Sequence, residues 1–500
     1  MTPDRNPRVV ALMNQVTQTF KKTANALGWT ISLVSAFDYQ SYAVFSVNRE
    51  SVTHKFGYLF SQSTDKAVYR SLEGTTEVIF IHGMGFDPQN SFSQGCKIPV
   101  LPDNDFLYVM TDWNMEFLGI SHSCKEEVKK EDEVLRIIEE DPLQQIYTHL
   151  QSLTSKTFVK KVVLFHASCA DLTFTDDVVN AKAEGVSYLV QNAIDYYDNA
   201  ATRNMTQRLL NLYYGTLALM EAEMLICGEQ YSRLSEIESI TKSGHGMITF
   251  GNAENMQDFY IGVMDKGLFQ AWLSHRGIDV SGFANSRRNA EKSDFVISLD
   301  DLFRHIPELQ NVMQETEPDY KPYFLLPSYD MAFNHVNGLN KPVYAPKYYG
   351  SYVGFLNVDG QLDLPWEKKL IESFLGPFTI VGEYKEHDSI GWRTFVEHRK
   401  GEHHFESYQT HKGLSSSMVI APLFGRTDNW EVFAVMILYA LSIIVRYMPN
   451  LWARISHGDL DDFKAVLYQF SRVAERELTQ IFLEKLTGKK IVISHPQGLI

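Results

Sequence analysis

Three groups of residues have types and spacing that could do chemistry. Phe80-Ile81-His82-Gly83-Met84-Gly85 closes an apolar run, and glycines placed there let backbone N–H groups approach a developing oxyanion, as in acyl-transfer hydrolysis. Such an enzyme needs a nucleophile on a G-x-S-x-G elbow. Neither Gly119-Ile120-Ser121-His122-Ser123 nor Gly413-Leu414-Ser415-Ser416-Ser417 completes one. The second group is cationic. Arg203, Asn204 and Arg208 begin a Tyr-rich helical run and could contact phosphate. His245 stands between Gly244 and Gly246, which either let a ligand approach closely or carry the chain out of a helix through a left-handed turn. Arg446 ends an apolar helix and reads as a clamp for phosphate or carboxylate, or as one half of a structural ion pair. The third group is His387, His398, His403, His404 and His411 interleaved with Glu397, Glu402 and Glu406. These side chains can ligate metals, but no known metal spacing is met, and cross-strand polar pairing explains them better.

Other machinery is missing from the sequence. There is no Walker A loop, dinucleotide G-x-G-x-x-G, HExxH or EF-hand loop, so no cofactor or metal is expected. Cys96, Cys124, Cys169 and Cys227 form no CxxC or Cys/His zinc spacing, which fits a reducing cytoplasm. A net charge of -15 disfavours indiscriminate binding to nucleic acid or an anionic membrane, while leaving room for a local basic groove. The start MTPDRNPRVV lacks a signal-peptide core, and the run Val432 to Val445, closed by Arg446, is too short to span a bilayer and reads as a core helix. No membrane association is expected. A protein partner or a symmetric homo-oligomer is.

These groups need elements to position them, and 500 residues imply more than one packed unit. Asn6-Pro7 starts a helix on which Val9, Met13, Val16, Phe20 and Leu27 recur until Gly28. Strands are expected at Trp29 to Val34, Tyr42 to Val47, Glu77 to His82 and Phe106 to Thr111. Lys125 to Asp141 reads as a charged amphipathic helix, with another restarting after Pro142 and a buried strand at Val159 to Phe165. A boundary near residue 155 then separates a small α+β domain, 1–155, from a mainly helical body, 156–500. Helices are expected over Asp177 to Asp198, Arg203 to Cys227, Tyr231 to Lys242, Ser298 to Phe303, Asn429 to Arg454 and Asp461 to Leu486. A β-rich insertion occupies about 320–411, within which Trp392 to Arg399 and His403 to Thr410 would form a hairpin about Lys400-Gly401. The class is α+β.

Three blocks carry a resemblance: RNMTQRLLNLYYGTLALMEAEML followed by SGHGMITF, then VISLDDLFRHIPELQ, then ILYALSIIVRYMPNLW. Together they resemble the YaaC-like family of bacterial proteins over roughly residues 160 to 490. The Tyr-rich helix followed by Gly-His-Gly is also similar to helices of the HEPN group of bacterial toxins and defence proteins. The second similarity implies a ribonuclease site of Arg, a polar residue and His at R-N-x-x-x-H spacing. Here Arg203-Asn204 is followed at the matching place by Arg208, which removes the general acid/base group. What the resemblances imply is therefore a bacterial binding or regulatory subunit of an antiviral or stress-response system. A divergent ribonuclease using Arg203, Asn204, Arg208 and His245 is the first alternative, with RNA or nucleotide as ligand. A hydrolase using the His82 turn is the second.

Overall fold

Asn6 begins the fold as read: its side chain accepts from the Arg8 N–H and Pro7 opens the helix, satisfying one orphan donor and dispensing with another. The structure is a computed structural model, and it describes residues 6–83, 93, 96–118, 134–137, 141–201, 204–251, 255–317, 319–331, 350–356, 364–376, 378–386, 389–397, 411–412 and 417–493. Contacts divide these into two units, the first built on residues 6–118 and the second mainly on residues 134–493.

In the first unit, helix α1 (Pro7–Gln15) runs through a π-helical turn, Val16–Phe20, into α2 (Lys21–Ala26). Strands β1 (Thr30–Phe37), β2 (Tyr42–Arg49) and β3 (Val52–Leu59) form an antiparallel meander. Helix α3 (Lys66–Glu73) then crosses to β4 (Val78–Ile81), which lies parallel to β3, and β5 (Val100–Pro102) extends the parallel side. The sheet order is β1-β2-β3-β4-β5. One face packs Val68, Tyr69 and Leu72 of α3 against Tyr42, Leu59, Ile79 and Ile81. On another cluster of rings Phe20 stacks on Phe106, 3.9 Å between centroids, with Phe56 and Phe80 edge-on to Phe106. The segment from Phe106 is not the expected strand but helix α4 (Phe106–Phe117). Phe106, Val109, Met110 and Trp113 are buried at i, i+3, i+4 and i+7, a helical period that β-favouring residue types concealed.

The second unit opens on β6 (Val134–Ile137), where an amphipathic helix was expected. This segment instead pairs in parallel with the last strand of the chain, a partner no local pattern reveals. Helix α5 (Pro142–Ser152) precedes α6 (Lys156–Cys169). The expected strand Val159 to Phe165 lies inside α6, started by Ser155, whose hydroxyl accepts from the Phe158 N–H, and Val159, Val162 and Val163 bury one helical face. Two long helices, α7 (Asp176–Ala201) and α8 (Met205–Ile226), pack along each other, and α8 is buried on nearly all sides, as its all-round apolar character requires. Buried Lys182 of α7 donates to the Leu225 and Gly228 carbonyls, closing the C-terminus of α8.

After α9 (Leu234–Lys242), strands β7 (Met247–Phe250), β8 (Tyr260–Val263) and β9 (Val296–Ser298) form a small antiparallel sheet interrupted by α10 (Leu268–His275) and α11 (Arg287–Ala290). Ser298 caps α12 (Leu299–Arg304), which leads to α13 (Gln310–Thr316). The β-rich insertion holds β10 (Phe324–Met331), β11 (Gly350–Leu356), α14 (Leu364–Ser373), β12 (Phe378–Glu386), β13 (Ser389–Glu397) and β14 (His411–Lys412). With β15 (Ser417–Ile420) its order is β12-β13-β11-β10-β15-β14. The hairpin found there joins β12 to β13; the expected turn at Lys400-Gly401 lies outside the described residues.

The helix expected over Asn429 to Arg454 is two helices, α15 (Trp430–Tyr447) and α16 (Pro449–His457), because Pro449 has no N–H to give and crowds the preceding turn. Helix α15 is apolar and long enough to cross a membrane, but 78% of that window is buried inside the protein, where it packs on α8. Helix α17 (Phe463–Thr487) packs on α8 as well, and β16 (Lys490–Ile493) pairs with β6. The core joins Leu209, Leu212 and Leu219 of α8 to Phe433, Ile437 and Leu441 of α15 and Phe470, Leu478 and Phe482 of α17.

Candidate functional site

The Gly-His-Gly segment follows α9, and its conformation is forced. Gly244 and Gly246 have φ of +123° and +83°, and a Cβ on Gly246 would sit 3.0 Å from the Phe269 and Gln270 nitrogens. The Gly244 and His245 carbonyls accept from the Leu268 and Phe269 N–H groups, the otherwise unpaired first donors of α10. The glycines thus let the loop cap a helix, and this fastens the backbone of His245 between them.

His245 is half-buried, with Nδ1 3.0 Å from the hydroxyl of Tyr213 on α8. Tyr213 is 1% exposed, and Nδ1 is the acceptor its hydroxyl reaches among the described residues. A buried phenol donates where it can, so Nδ1 accepts and the imidazole proton sits on Nε2. Burial and then the charge of Arg446 hold His245 below the usual histidine range, so the ring is neutral at neutral pH.

Arg446 lies in the last turn of α15, where a cation complements the helix dipole. Its Nε donates to the Ser442 carbonyl at 3.0 Å, and its terminal nitrogens donate to Ser442 Oγ at 3.1 Å and Tyr214 Oη at 3.0 Å. All three acceptors are neutral. Among the described residues no carboxylate pairs with Arg446. Around it, Tyr439 donates to the Met247 carbonyl at 2.8 Å, and burial pushes its phenol up to about 12. Tyr196 stacks on Tyr214 at 5.7 Å between centroids. Tyr196 and Tyr447 keep 38% and 67% of their surface exposed, leaving ring area for a flat partner. The cluster offers the Arg446 guanidinium, the Tyr214 hydroxyl proton and the His245 Nε2–H, a donor-only set of the kind that receives an anion.

The other sequence-predicted residues fall elsewhere. Asn204 is the N-cap of α8, accepting from the Gln207 N–H at 3.1 Å. Arg208 is not free to meet phosphate as expected: it is buried, donating to Glu475 Oε2 at 2.5 Å and to Ser471, with Glu475 also receiving the Tyr147 hydroxyl. Arg203 lies outside the described residues. His411 is buried against Glu308, and Cys169 is the last residue of α6. His387, His398, His403, His404, Glu402 and Glu406 lie outside the described residues, as do both serine elbows apart from Ser417. Among the described residues no group of three or more His, Cys, Asp or Glu is placed to hold a metal ion.

In the first unit, His82 follows β4, and the expected oxyanion donor at Gly83 is already engaged: its N–H donates to Asp103 Oδ2 at 3.1 Å. Met84 and Gly85 lie outside the described residues. Sequence reasoning missed Asp103, Tyr58 and the tyrosines around His245 and Arg446. The adjacent pair Tyr213-Tyr214 was the available signal, since consecutive helical residues present one ring to the core and one toward its edge.

The chain belongs to the YaaC-like family, whose model matches residues 151–486. This bears out the resemblance read from the three sequence blocks. No curated protein and no solved structure matches the chain.

Proposed function

We propose that this chain is a binding and regulatory subunit whose ligand is a nucleotide, recognised by Arg446, Tyr214 and His245 of the helical body. The observation that carries this reading is the half-buried guanidinium of Arg446, held by three neutral oxygens beside a histidine whose outward nitrogen carries a proton. In a chain of net charge -15, the buried Arg208 and Arg276 find carboxylates, whereas Arg49 is held by the Leu27 carbonyl and Asn114 Oδ1. A half-buried guanidinium without a carboxylate can receive an anion from solution. A phosphate suits this set of donors, and the exposed rings of Tyr196 and Tyr447 suit a stacked base. The cluster holds donors and no paired acid and base, which supports binding over RNA cleavage. Similarity of the Tyr-rich helix to HEPN helices is what supports a defence or stress-response setting, in which the bound state would be passed to a protein partner.

Isothermal titration with inorganic phosphate, AMP, ATP and a 5′-phosphorylated RNA oligonucleotide tests the reading. AMP or ATP is expected to bind more tightly than phosphate alone, and Arg446→Gln to weaken nucleotide binding at least tenfold. Equal nucleotide affinity in the wild type and Arg446→Gln overturns the site. Binding of the RNA oligonucleotide alone replaces the ligand class.

A further inference from the structure

Strands β3, β4 and β5 run parallel, so Tyr58, His82 and Asp103 fall together at their carboxyl ends. This edge of a parallel sheet is where loops open and ligands enter. Tyr58 is the next-to-last residue of β3, His82 follows β4 and Asp103 follows β5. Asp103 Oδ2 gathers three donors: the Tyr58 hydroxyl at 2.9 Å, His82 Nδ1 at 3.0 Å and the Gly83 N–H at 3.1 Å. Tyr58 Oη also lies 2.8 Å from His82 Nδ1. With its own proton given to Asp103, that oxygen can only accept from the ring. Two acceptors on Nδ1 fix the proton there, and the lone pair is on Nε2, which has no partner among the described residues. The His82 side chain keeps 28% of its surface exposed, whereas Asp103 is buried and Tyr58 fully so.

A core histidine needs one partner and a closed surface. Here a carboxylate and a phenol orient a partly exposed imidazole whose other nitrogen is an acceptor, the arrangement a general base requires. We propose that His82 is the proton acceptor of a second site, in the first unit, that hydrolyses a neutral carboxylic ester, with Asp103 and Tyr58 as positioning residues. In the step, His82 Nε2 takes a proton from water as the water oxygen bonds to the carbonyl carbon. The ester C–O bond then breaks, and the departing alkoxide takes the proton back from Nε2, leaving acid and alcohol. The substrate is neutral because no Lys or Arg among the described residues bonds to Tyr58, His82 or Asp103, and the same turn adds a second carboxyl, Asp105. A phosphate ester would meet negative charge, with no cation bonded to these three side chains among the described residues to offset it.

The test uses the full chain and p-nitrophenyl acetate. Saturable release of p-nitrophenol is expected, reduced at least tenfold in His82→Gln. In Asp103→Asn the amide N–H would face Nδ1 and drive the ring proton to Nε2, so the rate should fall and the imidazole limb of its pH profile should vanish. Nitrogen-15 NMR of histidine-labelled wild-type protein, with the His82 signal identified by its loss in His82→Gln, is expected to report the Nδ1–H tautomer. Equal turnover in wild type and His82→Gln, or an Nε2–H tautomer at His82, overturns the proposal.

Discussion

The two units each present a half-open histidine, and the rings are set up in opposite ways. His245 has Nδ1 occupied by a phenol that must donate, so its other nitrogen is a donor, and burial, with a neighbouring guanidinium, keeps the ring neutral. His82 has Nδ1 occupied by a carboxylate that must accept, so its outward nitrogen is a lone pair. One ring can hold an anion and the other can take a proton. The residue type is the same; what differs is whether the group behind it gives or receives hydrogen. Arginine obeys the same rule. Arg208 faces Glu475 and serves the fold, whereas Arg446, among the described residues, faces neutral oxygens.

The sharpest way to break this comparison is to remove the paired arginine. Arg208→Met leaves Glu475 buried without its cation, and truncating one partner of a buried pair costs about 3–5 kcal/mol. Urea denaturation should show that loss, with nucleotide binding per folded molecule unchanged; a lost ligand with unchanged stability would reverse the roles assigned to the two arginines.

A third histidine supplies the next largest effect. His305 is buried, with Nδ1 2.7 Å from the Asp301 carbonyl and its ring stacked on Phe433, and burial pushes its pKa down to about 4. The unfolded chain, near 6.5, takes up this proton first. Stability is therefore complete above pH 6.5 and falls as pH drops toward 4, by roughly 3 kcal/mol in all from this residue. His305→Gln should flatten that part of a plot of unfolding free energy against pH. An unaltered slope would show that His305 is not the residue responsible.

Arg446→Gln is expected to weaken nucleotide binding ten- to a hundredfold, corresponding to about 1.5–3 kcal/mol for charged hydrogen bonds, while the thermal midpoint stays within a few degrees. The bound anion should in turn raise the pKa of His245, so its protonation should favour binding as pH falls; titration calorimetry at a lower and a higher pH checks the sign.

The smallest effect belongs to Tyr213→Phe. It removes the donor that fixes His245, which costs about 1 kcal/mol and a few-fold in affinity. The histidine tautomer, read by nitrogen-15 NMR, should become mixed; an unmoved tautomer would mean that the phenol does not set it.

Much of the fold was legible where local signals agreed. Asn6-Pro7, Ser298 and the stripe of α17 each combine a cap or period with a uniform pattern, and each element stands where it was read. The failures share a cause. Phe106 to Thr111 and Val159 to Phe165 carry β-favouring residues on a helical period, and packing on one face outweighed propensity. Val134–Ile137 became a strand because Lys490–Ile493 lies beside it. At the site, His245 and Arg446 were legible one at a time, through glycines that need left-handed backbone and through a charge closing an apolar helix. Arg208 was misread because its partner Glu475 is 267 residues away.

The sequence by itself determined the α+β class, the apolar core helix ending in Arg446, the Gly-His-Gly turn and the blocks shared with the YaaC-like family, since each is written in neighbouring residues. Only the tertiary structure decided which side chains meet. Tyr213 comes to His245 from 32 residues away, Tyr214 to Arg446 from 232 and Asp103 to His82 from 21. Side-chain chemistry is a property of residue type. Whether that chemistry is spent inside the fold or left for a ligand depends on the partner across the gap, and only packing chooses the partner.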